Sequence, residues 1–135
     1  MADDINRRRF LGSLSAAVAT LVISPRLANA GPKHPAPRPG ITGEYVLKHK
    51  DLARHPKLIP LYDSIRKIPE VADGILCSCG CPRQPDFYSL LSCYERNGMA
   101  RECSTCQEQG RLVVKLHKEG KTLNQIRAAL DARFA

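Results

Sequence analysis

Residues 77–106 read CSCGCPRQPDFYSLLSCYERNGMARECSTC, and this window decides how the chain is organised. All six cysteines of the 135-residue sequence fall inside it: Cys77, Cys79 and Cys81 alternate, Cys93 stands alone, and Cys103 and Cys106 lie three apart. Composition alone rarely concentrates thiols in this way, so the window reads as a sulfur site and the remainder as its support. Cysteines two residues apart cannot easily bond to each other without strain. Three thiols in five residues therefore either converge on a metal or each reach a distant partner. In an extended segment all three side chains leave on one face. In a loop, Gly80 supplies the freedom to bend.

Cys103 and Cys106 form the second half of the expected site. Two cysteines three apart at a helix start can share one ion, and the positive helix end favours thiolate over thiol. The flanking Arg101 and Glu102 act in opposite directions. Thiolates without paired histidines select Cu(I), zinc or iron-sulfur centres over hard ions. A single zinc or one four-iron cluster uses four cysteines and leaves two over. A compact Cu(I) cluster bridged by six thiolates uses Cys77, Cys79, Cys81, Cys93, Cys103 and Cys106 together, which places copper first. Two other readings compete. An even cysteine count in an oxidising compartment suits three disulfides, with 15 pairings open. A thiol-disulfide carrier built on Cys103 and Cys106 is the other, although the βαβ context that accompanies such motifs is missing. No general base, nucleophile-base pair or phosphate loop is visible, and His117 reads as a last-turn helix residue, so no enzyme is expected.

Outward from the window, the N-terminus supplies the compartment. Arg7-Arg8-Arg9-Phe10-Leu11 has the form of a twin-arginine export signal, followed by an apolar run to Ile23 and the small-residue site Ala28-Asn29-Ala30. The run is too short for a stable transmembrane anchor, which needs roughly 20 residues. Residues 1–30 are thus expected to be a signal peptide, 31–44 a proline-rich linker and 45–135 a cysteine-rich domain, periplasmic or otherwise extracytoplasmic. Twin-arginine export moves folded proteins, which suits a metal inserted beforehand. The whole chain carries +8, and the part after residue 30 carries 17 basic against 11 acidic residues, or +6. Its basic residues are spread out and aromatics are few, which argues against nucleic acid and for an acidic protein partner or anionic cell-surface material. A metal-handling or redox protein outside the cytoplasmic membrane is a natural partner class.

The linker holds prolines 32, 35, 37 and 39, which exclude a helix and a paired strand and predict an extended tether, with His34 as a solvated spacer residue. After Pro60, Leu61, Ile65 and Ile68 recur at helical spacing, and Pro60 suits a first turn. Pro69 to Gly74 reads as one further turn. Asp86 is placed to cap a helix from Phe87 to about Arg96, with Phe87, Leu90, Leu91 and Tyr94 inward and Cys93 beside them. The Cys103 to Cys106 segment opens a helix that buries Leu112, Val113 and Leu116 and ends at Gly120. Thr122 and Gln125 make a capping box for a last helix with Leu123, Ile126, Leu130 and Phe134 on its inner face. The expectation is an all-α fold, three to four short helices around a cysteine-rich site, ending in a helical hairpin.

These residues also carry a family resemblance. Cys77-Ser78-Cys79-Gly80-Cys81, the later Cys93, Cys103-Ser104-Thr105-Cys106 and the tail Glu119-Gly120-Lys121-Thr122 with Gln125-Ile126-Arg127 and Leu130-Asp131 resemble the bacterial extracytoplasmic family named for its Pro-Cys-Tyr-Cys-Gly-Cys motif. It is also called the CYCXC family, and some members carry selenocysteine. The resemblance spans about Ile68 to Phe134, with Leu76 where the family has proline and Ser78 where it has tyrosine. It implies export and a sulfur site, and selenocysteine in relatives implies reactive chalcogens rather than purely structural disulfides.

Overall fold

The computed structural model describes residues 34–80 and 86–135, so the expected signal peptide, residues 31–33 of the linker and Cys81 lie outside the described residues. Five α-helices are present: α1 Ile59–Arg66, α2 Pro69–Asp73, α3 Leu90–Cys93, α4 Ser104–Lys118 and α5 Leu123–Phe134. Two 3₁₀ turns, His49–Leu52 and Pro56–Leu58, precede them. The described part is all-α, as expected; its one β feature is an isolated bridge between Val46 and Glu95. The helix count exceeds the expected three to four because Pro69 starts a separate five-residue helix. None of the described helices is long and apolar enough to cross a membrane.

The helix ends follow local chemistry. Pro60 sits in the first turn of α1, where its missing amide costs nothing. Thr122 Oγ1 accepts from the Gln125 amide at 3.2 Å while Gln125 Oε1 accepts from the Thr122 amide at 2.9 Å, so the expected capping box starts α5. Gly120, at φ 80°, makes the left-handed turn between α4 and α5, which pack as the anticipated hairpin. Ile126 and Leu130 of α5 and Val113 of α4 are all buried in one core. Leu112, Leu116, Leu123 and Phe134 are only partly covered.

The helix expected over residues 87–96 is a correction. Asp86 is exposed and caps nothing; α3 has a single turn, begun by Ser89 with Ser92 as its reciprocal partner. Leu90, Leu91, Ser92 and Cys93 are all buried, so this segment has no solvent face and threads the interior. Gly98 allows the chain to fold back over it. A Cβ there would lie 2.0 Å from the Cys93 carbonyl oxygen, which accepts from the Ala100 amide at 3.0 Å.

His34 is the second correction. The prolines keep residues 34–38 free of helix and strand, yet the segment is bound to the domain at several points. His34 Nδ1 accepts from the Leu76 amide at 2.9 Å and its Nε2 meets Asp131 Oδ1 at 2.9 Å. Pro35 O accepts from Arg127 Nη2 at 2.8 Å, and the Tyr88 hydroxyl donates to Ala36 O. The side chain of His34 is 9% exposed, far from the solvated spacer expected of it. Arg38 completes the attachment through its amide, Nε and Nη2, all donating to the fully buried Asp73 carboxylate at 2.8–3.1 Å.

Candidate metal centre

Four of the cysteines converge. The Sγ atoms of Cys77, Cys79, Cys93 and Cys106 all lie within 4.8 Å of one another. Cys77 is central, 3.1 Å from Cys79 and 3.3 Å from Cys106. These separations are well beyond the roughly 2.05 Å of a disulfide, and the four sulfurs together are close enough to hold one metal ion. Cys77, Cys93 and Cys106 are buried and Cys79 is half-buried. Three of the four residues are thus shielded from solvent, and Cys79 is the least covered.

Each sulfur reaches the cluster by a different element. Residues 76–79 leave α2 without regular structure, and Gly80 turns the chain at φ 90°. Cys77 and Cys79 both contribute from this loop, whose turn at Ser78–Cys79 and bend at Gly80 follow the looped alternative rather than the extended one. Cys93 is the last residue of α3, and Cys106 stands in the first turn of α4. Cys103 is the N-cap of α4 and is not among the four, so the expected pair at this helix is split. Cys81 lies outside the described residues.

Hydrogen bonds and charge make the four sulfurs unequal. Cys77 is held down to about 3 by hydrogen bonds with Cys106, then Cys93 and Cys79, which favour its anion over burial. Cys106 is pushed well above the ordinary thiol range by its bonds to Cys77 and Cys93 and by burial. For Cys93 the bond to Cys106 lowers the value, but the bond to Cys77 and burial together raise it further. Of these three, Cys77 is the sulfur that most readily gives up its proton, while Cys93 and Cys106 hold theirs. At the start of α4 the expectation is a favoured thiolate, but at Cys106 the direction is upward, with the bonds to Cys77 and Cys93 as the leading causes.

No family model matches the chain, and neither a curated protein nor a solved structure matches it. What the cluster can do follows from its own atoms.

Two supporting residues escaped the sequence reading. Gln109 is 1% exposed; its Oε1 accepts from the Ser78 amide and its Nε2 donates to Ser78 Oγ, both at 3.0 Å. It grips the residue between Cys77 and Cys79 from α4. A glutamine three after Cys106 and four before Val113, on the inner face of the helix, was the available signal. His34 holds the same loop one residue upstream of Cys77, through Leu76. Tyr94 contributes from below: its hydroxyl donates to the Cys106 carbonyl at 2.6 Å, and its ring packs edge-on against Tyr62 at 4.8 Å.

Proposed function

We propose that this protein binds one soft metal ion through Cys77, Cys79, Cys93 and Cys106, outside the cytoplasmic membrane, and acts as a metal-handling rather than catalytic protein. The observation that carries this reading is four sulfurs, three of them buried, within 4.8 Å of one another. Buried thiols without disulfides that meet at one point are costly to ionise unless a cation takes the charge. The twin-arginine motif and the resemblance to the Pro-Cys-Tyr-Cys-Gly-Cys family support the location.

Copper(I) is the first ion. Three buried thiolates satisfy it, and the half-buried Cys79 then serves as the sulfur through which it is taken up or passed on. The six-thiolate cluster argument is not needed for this, since Cys103 stands apart from the four. Zinc is the second reading, and a specific observation favours it: a Zn–S bond of about 2.3 Å sets tetrahedral sulfurs about 3.8 Å apart, inside the spread seen here. A four-iron cluster fits less well. Each of its cysteines binds a different iron, so those sulfurs stand farther apart than the ligands of a single ion.

Metal analysis after anaerobic purification, together with thiol counting before and after chelation, tests the reading. The expected result is one ion per chain. Cys93→Ser and Cys106→Ser should abolish loading, while Cys103→Ser should leave the stoichiometry at one. Cys79→Ser should keep Cu(I) but lose Zn. Loading must displace the protons of Cys93 and Cys106, so affinity should rise with pH. Protein that holds no metal and titrates no thiols would refute the proposal.

A further inference from the structure

A cavity of about 560 Å³ opens between α1 and α4, away from the cysteines. Its apolar lining is Pro60, Leu61 and Val114, of which Leu61 is buried, Val114 half-buried and Pro60 exposed. Its rim carries the cations Lys57, Arg111, Lys115 and Lys118 against one acid, Glu119. All four cations are exposed, and none takes part in an ion pair among the described residues. Four unpaired cations around an apolar trough repel one another and leave both charge and apolar surface unmet.

We propose that this groove docks an acidic amphipathic helix of a partner protein. The shape selects a helix: two helices flank a trough with an apolar lining, and no strand among the described residues offers an edge for an added strand. Charge selects the sign, because carboxylates on either side of an apolar stripe would meet the rim while the stripe covers Leu61 and Val114. Arg111, Val114, Lys115 and Lys118 recur at helical spacing along about two turns of α4, so two to three turns of partner helix match the length. Interfacial membrane binding needs large protruding apolar side chains, and the exposed large hydrophobics of the described residues, Tyr45, Tyr88 and Met99, all lie outside this groove. Nucleic acid would find no aromatic side chain here on which to stack.

On α4, residues 111, 115 and 118 lie about 120–180° around the axis from Cys106 at 100° per residue. A helix in the groove therefore docks on the side of α4 away from the sulfur site. This inference stands whether or not the metal reading holds.

The test uses the full chain and a synthetic helical peptide of about 18 residues, with leucine at helical spacing and glutamate on both flanks. Its controls are a scrambled peptide of the same composition, phosphatidylglycerol vesicles and a duplex DNA. The expected result is one-to-one binding of the helical peptide, weakened as salt rises. R111E/K115E should lower its affinity about tenfold or more, with thermal unfolding showing the fold intact. K50E/R96E makes the same change in charge elsewhere on the surface and should leave affinity within about twofold. Equal binding of the scrambled peptide, tighter binding of vesicles or DNA, an equal loss in the control pair, or no binding of the helical peptide would each overturn the proposal.

Discussion

Single side chains decide whether the sulfurs stay aligned, and Gln109 is the clearest case. Its amide makes two bonds to Ser78, the residue between Cys77 and Cys79, so it sets where both thiols point without touching a metal. Supporting groups of this kind typically change metal affinity by about 10–100-fold when removed. Gln109→Ala should therefore weaken metal binding by about tenfold, measured by competition with a chelator. Ser78 is exposed, so water can replace the lost bonds and the fold should survive. Gly110, the next residue, makes a contrary point about helix propensity. Alanine there should gain about 1 kcal/mol as a helix residue. The added Cβ would lie 1.9 Å from the Tyr94 hydroxyl oxygen, and Tyr94 is fully buried between Tyr62 and Cys106. Overpacking costs about 1–3 kcal/mol, to which the strained hydrogen bond adds. Gly110→Ala should lower stability by about 2 kcal/mol in urea melts, and a stabilised variant would show that Tyr94 can move.

At the scale of elements, the legible parts were those whose chemistry is local. Thr122 and Gln125 cap α5 from three residues apart, Gly120 turns the chain by itself, and Pro60 starts α1 within its own turn. α3 is shorter than its sequence pattern suggests for a physical reason. A helix with water on one side shows a stripe, but Leu90 to Cys93 are buried all round, so the apolar spacing of Phe87 to Tyr94 resembled a longer amphipathic helix. The six-cysteine site was legible as a concentration of sulfur. Its partition was not, because whether Cys103 or Cys106 enters the cluster depends on how α4 is rotated by its packing. Asp73, at the end of α2, joins elements in a way that can be titrated. Burial raises its pKa, but the bonds from Arg38 and Ser89 outweigh this and hold its carboxyl below the ordinary value of 3.8. The folded form therefore binds this proton less readily than the unfolded chain. The stabilisation is complete above pH 3.8 and is lost as pH falls through the depressed value. Asp73→Asn should cost about 2 kcal/mol at pH 7, and the gap from the parent should narrow in melts run at pH 3.

Over the whole molecule, the proline-rich arm is part of the fold. Its contacts span 35 to 97 residues of sequence, which no local pattern could announce. A chain starting at Ile41 should lose the bonds of His34, Pro35, Ala36 and Arg38. Charge-assisted hydrogen bonds contribute about 1.5–3 kcal/mol each and neutral ones about 1, against the entropy of ordering seven residues. The net loss should be about 2 kcal/mol or more in urea melts, with weaker metal binding because Leu76 loses its partner beside Cys77. Unchanged stability and affinity would show that the arm merely rests on the surface.

The seam between His34 and Asp131 also constrains the order of events during synthesis. Residue 131 is made 97 residues after residue 34, so the two halves of that contact cannot meet until at least that length of polypeptide is outside the exit tunnel. The arm's bonds to Asp73, Leu76 and Tyr88 need far less of the chain, so the arm can reach the sulfur loop well before this seam closes.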